Sequence, residues 1–467
     1  MIKWLVILGT IYILILIFLA YLSRRRIRNA NDFMMGGFNI GVVLGFMTFA
    51  ATLFSTFTLM GMPDFFRIHG VGAWIFLAVS DGGMVYFILW FGYKLRKSIN
   101  QKEYKGMSGF LNKKYGTKSV GILYFIGIFI FLIPYVAIQI RGISIFLDAA
   151  FDNLLPVWAW ALIIIGIMVI YSETGGLKAI IYSDVLQGVL LLIVVWIIAG
   201  RFIDQAGGLT ALFNEVEKVD VRLLSVPGPK GLFNYQFLIA SFIAIVMIPV
   251  TQPQISTRLV VMKNLTAMKK MSVGVGLFAI AVIFPTVILG MKGATDYASL
   301  STADFLAKVL IQEHSEIIAT LIMIGLIAAA ISTSDSQIFA LGSEIRSLLR
   351  GTEKKVLIKT KSAMLTFAIF AFVFSLISSD QLVLLARVSF AGTAMMGPMI
   401  LAAVFIDRII PKMIIWVTGI GEILFICSLI GIIPSSILGV QMDLLLLTSL
   451  FSSTGIILLI DKMRGQY

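Results

Sequence analysis

Cysteine and histidine are almost missing from this chain, and that scarcity removes several classes of function. A lone cysteine, Cys427, in an apolar run excludes a disulfide framework and a cysteine zinc site. Two histidines, His69 and His314, leave no ligand set for a haem or an HExxH pair. Charge is sparse too, at 13% of residues, and no polar stretch is long enough to bury a core of its own. Residues 1–467 are therefore read as a single transmembrane domain. No nucleophile or metal constellation marks an enzyme, and the segment Asp461–Tyr467 adds no signalling module.

What fills the chain is hydrophobic: 59% of its 467 residues, with a mean hydropathy of +1.00. Apolar runs repeatedly exceed the roughly 18 residues that cross hydrocarbon, which is the pattern of an all-α polytopic membrane protein in a lipid bilayer. Thirteen such runs begin near Lys3, Ile40, Gly72, Val120, Val157, Ala179, Phe233, Val273, Ile317, Ser362, Gln381, Met413 and Asp443, and thirteen transmembrane helices are expected.

Basic residues set the expected orientation, because short loops rich in Lys and Arg stay cytoplasmic. Only Lys3 precedes the first run, whereas Arg24, Arg25, Arg26 and Arg28 follow it with no small-residue cleavage site between. The amino terminus is thus expected outside and, with an odd number of helices, the carboxyl terminus in the cytoplasm of a plasma-membrane protein. Of the 37 Lys and Arg, 27 then fall in cytoplasmic segments, 8 outside and 2, Arg141 and Arg387, within helices. The net charge of +13 is read as topology, so no nucleic-acid partner is expected. No motif specifies an oligomeric state.

Several runs carry polar residues that hydrocarbon disfavours. The ninth, Gly325–Phe339, turns polar halfway along, and at about 100° per residue Ser332, Asp335 and Ser336 share one face. Hydroxyls, helix carbonyls and a carboxylate are ligands for a hard cation, although small hydroxylated residues also serve as packing contacts in membrane helices. In the second run, Thr52, Ser55, Thr56 and Thr58 compete with the helix ladder; an unwound turn there would bare the carbonyls of Ala51 and Phe54. The fourth run brings Tyr135, Gln139 and Arg141 as candidates for lining a solute path. The seventh has Pro249 and Pro253, which remove backbone donors and predict a broken helix.

Three segments resemble the sodium/solute symporter family, among them its sodium/proline and sodium/pantothenate carriers. They are Gly175-Gly-Leu-Lys-Ala179 followed by Tyr182-Ser-Asp-Val-Leu-Gln187, Gln252-Pro-Gln-Ile-Ser-Thr-Arg258, and Ala329-Ala-Ile-Ser-Thr-Ser-Asp-Ser-Gln337. The eleventh run, Arg387–Pro398, resembles the family's solute-facing helix. The resemblance covers residues 35 to 410 and implies a LeuT-type fold of two inverted five-helix repeats, each opening on a broken helix. The second and seventh runs lie five apart, as that arrangement requires, with one helix before the repeats and two after them.

By this resemblance the protein is a sodium-coupled symporter of a small-molecule solute, with the sodium ion as its only cofactor. Ala51, Phe54, Ala329, Ser332 and Thr333 would hold sodium; Asp184, Asp335 and Ser336 would form a second cation site or a proton site. Leu53, Ser55, Tyr135, Gln139, Ile245 and Pro249 would meet the solute. Where proline carriers have an acidic residue this chain has Leu53, and where they have a Trp and glycines it has Ile245, Val246 and Ile248. The pocket is therefore expected to be apolar, without an acidic group, and suited to a monocarboxylate or pantothenate-like anion; a sugar, nucleoside or amino acid is the alternative solute. A proton-coupled carrier of the same fold, using Asp184 or Asp335, is the alternative mechanism.

Overall fold

In the computed structural model the described residues are 2–24, 35–36, 39–101, 103–151 and 154–464. Arg25, Arg26 and Arg28, and the side chains of Tyr171 to Gly175, lie outside them. The chain runs through α1 (Ile2–Arg24), α2 (Val42–Leu53), a π-helical turn Phe57–Gly61, α3 (Met62–His69), a second π-helical turn Ile75–Val79 and α4 (Ser80–Ser98). Next come α5 (Met107–Tyr115), α6 (Ser119–Ala150), α7 (Val157–Gln205) and α8 (Leu209–Val219). The second half holds α9 (Tyr235–Val246), α10 (Ile248–Thr251), α11 (Pro253–Val261), α12 (Leu265–Asp296), α13 (Thr302–Ala307) and α14 (Glu316–Leu348). It closes with α15 (Glu353–Ile377), α16 (Leu382–Ala394), α17 (Gly397–Phe405), α18 (Met413–Leu429) and α19 (Met442–Arg464).

Every one of the thirteen apolar runs holds a helix. Eight helices are long and apolar enough to span a membrane, and two bent pairs, α2 with α3 at 52° and α16 with α17 at 44°, bring the spans to ten. The runs near Val157, Phe233 and Met413 hold shorter apolar helices. By length and composition, eight to ten crossings are supported among the described residues, and the expected count of thirteen is not reached by that measure. α7 is two helices meeting at Gly176, whose φ of 64° and ψ of 174° only glycine adopts readily. A two-stranded hairpin, Ser436–Ile437 with Val440–Gln441, is a small departure from the all-α expectation.

Burial is graded from the outside inward. In α1 only 12% of the apolar span is buried, against 78% in α14, which places α14 at the centre of the bundle. Phe18, Phe370 and Trp416 are exposed on α1, α15 and α18, an apolar exterior proper to a multi-pass membrane protein. The far end of α14 is pinned by Glu344, whose carboxylate accepts from the amides of Met107 and Ser108 at 2.8 and 2.7 Å, the first free donors of α5. Both intrahelical arginines have structural partners. Arg141 pairs with Asp380 at 2.8 Å, and Arg387 binds Asp443 and Ser241 while lying over the Phe237 ring.

Candidate ion and solute site

The helix that begins at Val42 ends at Leu53 because its next amides are diverted to side chains. Phe54 is extended (φ −97°, ψ 117°), and the backbone resumes a helical course only beyond Ser55. The Ser55 amide donates to Thr58 Oγ1, that of Thr56 to Gln139 Oε1 and that of Phe57 to Ser55 Oγ, each at 3.2 Å, while that of Thr58 goes to the Ser55 carbonyl. Four carbonyls, Ala51 through Phe54, therefore lose the donor four residues ahead that a helix would supply. Side chains from other helices take up three of them. Ser332 Oγ (3.1 Å) and Thr333 Oγ1 (3.4 Å) reach the Ala51 oxygen, Thr333 Oγ1 reaches that of Thr52 at 3.3 Å, and the Tyr135 hydroxyl donates to that of Leu53 at 3.2 Å.

The structure thus brings Ala51, Ser332 and Thr333 together, with Phe54 at the same break. Ala329 lies three and four residues before the two hydroxyls, on their face of α14, and is buried with them. These donors are all oxygens, a set that fits a hard cation such as sodium.

A second polar layer adjoins the first. Asp184 accepts from Thr48 Oγ1, from Ser332 Oγ at 2.6 Å and from Arg258 Nη2 at 3.1 Å. The same Nη2 donates to Ser336 Oγ at 2.7 Å, while Nε reaches Thr48 Oγ1 at 2.9 Å and Nη1 reaches the Gln254 carbonyl at 2.6 Å. Arg258, assigned from the sequence to a cytoplasmic segment, is in fact only 2% exposed. Its guanidinium stands between Asp184 and Ser336, where a second cation was expected. Asp335 is equally buried, yet neither of its oxygens has a hydrogen-bond partner among the described residues. No hydrogen bond joins Asp184 to Asp335 among the described residues.

The second break falls where the prolines place it. Pro249 and Pro253 stand in the first turns of α10 and α11, and the extended Gln252 (φ −94°, ψ 118°) separates the two pieces. Between the breaks is a cavity of about 20 Å³ lined by Leu53, Phe57, Leu77, Asp81, Ile245 and Phe390, among others. Of the residues expected to meet the solute, Leu53 and Ile245 line this cavity. Ser55, Tyr135 and Gln139 instead brace the unwound turn from behind, and Pro249 follows the lining residue Ile248.

The expectation of a pocket without an acidic group is overturned by Asp81. That carboxylate sits just past the π-helical turn Ile75–Val79, and Leu77 and Asp81, four residues apart, both line the cavity. Sequence reasoning missed Asp81 and Arg258 as site residues. For Asp81 a signal was present, a single carboxylate early in an otherwise apolar run, where an ionisable group marks function.

A family model described as the sodium:solute symporter family matches residues 33–421. The chain belongs to that family. Among its relatives, the high-affinity proline transporter PutP of Bacillus subtilis (strain 168) is 23% identical over 413 residues, 84% of this chain and 85% of that protein. A sodium/pantothenate symporter of Haemophilus influenzae is 22% identical over 328 residues, 68% of this chain and 66% of that protein. Of solved structures, a Na+-coupled sialic acid symporter in a substrate-bound outward-open state superposes with a TM-score of 0.77 at 16% identity, covering 95% of both chains. MhsT in complex with L-phenylalanine gives 0.55 at 14% identity, covering 89% of this chain and 98% of that one. The symporter therefore has the LeuT-type fold implied by its two broken segments, and it is a transporter and not an enzyme.

Proposed function

We propose that this symporter couples solute uptake to one sodium ion held between the unwound turn after Leu53 and the polar face of α14. Ala51, Phe54 and Ala329 would give carbonyl oxygens, and Ser332 and Thr333 their hydroxyls. The observation that carries this reading is the loss of four helical donors at residues 51–54, with two hydroxyls of α14 turned toward the first of the freed carbonyls. Hydroxyls that donate to carbonyls in the absence of an ion can rotate and present lone pairs when one enters.

Coupling to a single ion follows from Arg258, because its guanidinium already satisfies Asp184 and Ser336. Solute binds in the cavity between the two breaks, and ordering the turn at Ala51–Ser55 for one ligand lowers the entropy cost for the other. The fold is one membrane domain with its amino terminus outside and its carboxyl terminus in the cytoplasm. Each short apolar helix completes a crossing with its neighbours, giving thirteen.

A second reading rests on Asp335, whose unpartnered buried carboxyl is where a proton would bind in place of a second ion. Binding of radiolabelled sodium to the purified protein, with sodium concentration and pH varied separately, tests both. One hyperbolic site that excess sodium displaces and potassium does not is the expected result. Sigmoidal binding would refute single-ion coupling. Absence of saturable sodium binding, with uptake driven by a pH gradient alone, would leave Asp335 as the coupling residue.

A further inference from the structure

The carboxylate in the solute cavity has no partner of its own. Asp81 is 7% exposed, makes no hydrogen bond or ion pair among the described residues, and shares the cavity with carbon from Leu53, Phe57, Leu77, Ile245 and Phe390. Among the described residues no lysine, arginine or histidine lines the cavity. A carboxylate buried among apolar groups is costly unless something positive meets it. A bare metal ion requires a shell of several oxygens, and the other side chains that line the cavity with Asp81 are all apolar. An alkylammonium group satisfies both demands, because it brings N–H donors for the carboxylate and an apolar body for the wall.

An acidic side chain with no cationic side chain beside it in the cavity is wrong for an organic anion and right for a cation.

Resting on the solute cavity proposed above, we infer that Asp81 selects the solute, and that the solute is a small molecule with an apolar body and a protonated amino group, either an amino acid zwitterion or an amine. The cavity of about 20 Å³ has room for little more than a water in this conformation, so solute entry requires the walls formed by α4, α9 and α16 to part around Asp81.

The test uses the full-length protein in proteoliposomes with a sodium gradient, and three pairs of radiolabelled probes. Alanine and leucine carry both groups, ethylamine and isopentylamine lack the carboxylate, and propanoate and 4-methylpentanoate lack the amine. Uptake is expected for at least one amino-bearing probe and for neither acid. Asp81→Asn should weaken apparent affinity for that probe about tenfold to a hundredfold, as for loss of one charge-assisted hydrogen bond. Radiolabelled sodium binding should be unchanged in this variant. Asp81→Glu, which keeps the charge, should retain the preference for amines at lower affinity and covers the case in which the amide variant does not fold.

Preference for an acid probe, uptake of no probe by folded protein, or unaltered affinity in Asp81→Asn would each overturn the inference. So would loss of sodium binding with solute selection intact, since Asp81 would then be an ion ligand. Failure of the wild type to bind sodium overturns the sodium site alone and leaves the comparison of amines with acids to be read in any driving gradient.

Discussion

Asp184 and Arg258 form an ion pair that does not meet solvent: Nη2 and Oδ2 are 3.1 Å apart, with side-chain exposures of 0% and 2%. The pair ties the helix after Gly176 to α11, and through Thr48 and Ser336 it reaches α2 and α14. Four elements of the site are therefore held by one guanidinium.

Removing one member of this pair leaves the other charge buried alone. Asp184→Asn or Arg258→Met should each destabilise the folded protein by about 3–5 kcal/mol, while the double variant should recover a large part of the loss. Thermal unfolding of the four proteins in one detergent gives the cycle, and additive losses would show that the two residues do not act as a pair.

At the proposed sodium site, Ser332→Ala with Thr333→Ala removes both hydroxyls and leaves the carbonyls. Sodium affinity should fall about tenfold or more, in keeping with the loss of two charge-assisted contacts. Radiolabelled sodium binding by the folded double variant is the measurement. Wild-type affinity would move the site elsewhere.

A prediction about packing concerns Gly290, where α12 crosses α3. A Cβ at that position would run into Phe66 Cβ and the Pro63 carbonyl, and neither belongs to a flexible side-chain end that could swing away. Gly290→Ala should therefore destabilise the protein by about 1–3 kcal/mol through overpacking. The comparison is Gly82→Ala, where no atom lies within 4 Å of the added carbon and the melting temperature should hardly move.

Orientation is tested by cysteine labelling after Cys427→Ser. An impermeant reagent applied to intact cells should modify a cysteine at residue 2 and not one at 354. The expectation still stands on the basic residues after Arg258 is moved from a cytoplasmic segment to the buried site, because the loops near Lys97 and Lys354 carry most of the asymmetry. The reverse labelling pattern would invert the topology.

Much of the fold was legible in the chain because the bilayer imposes simple rules. Runs of about 20 apolar residues mark membrane-spanning helices, and Pro249, Pro253 and the hydroxyl cluster from Thr52 to Thr58 mark places where the helix ladder must fail. Those local rules located both broken segments and the polar face of Ser332 and Thr333. They also explain why Gly176 divides two helices, as only glycine takes that backbone angle without strain. Tertiary structure decided where side chains far apart in sequence meet. Arg258 lies 74 residues from Asp184, and whether such a charge faces cytoplasm or core depends on how α11 packs, which hydropathy does not encode. Asp81 was visible as a charge in an apolar run, but the cavity it lines is closed by Leu53, Ile245 and Phe390 from other helices, which no periodicity announces. The sequence by itself determined that the membrane helices would break at two places, since local backbone chemistry sets where a helix fails. Only the packed bundle determined which charges face those breaks, because burial and partner choice arise from contacts between helices.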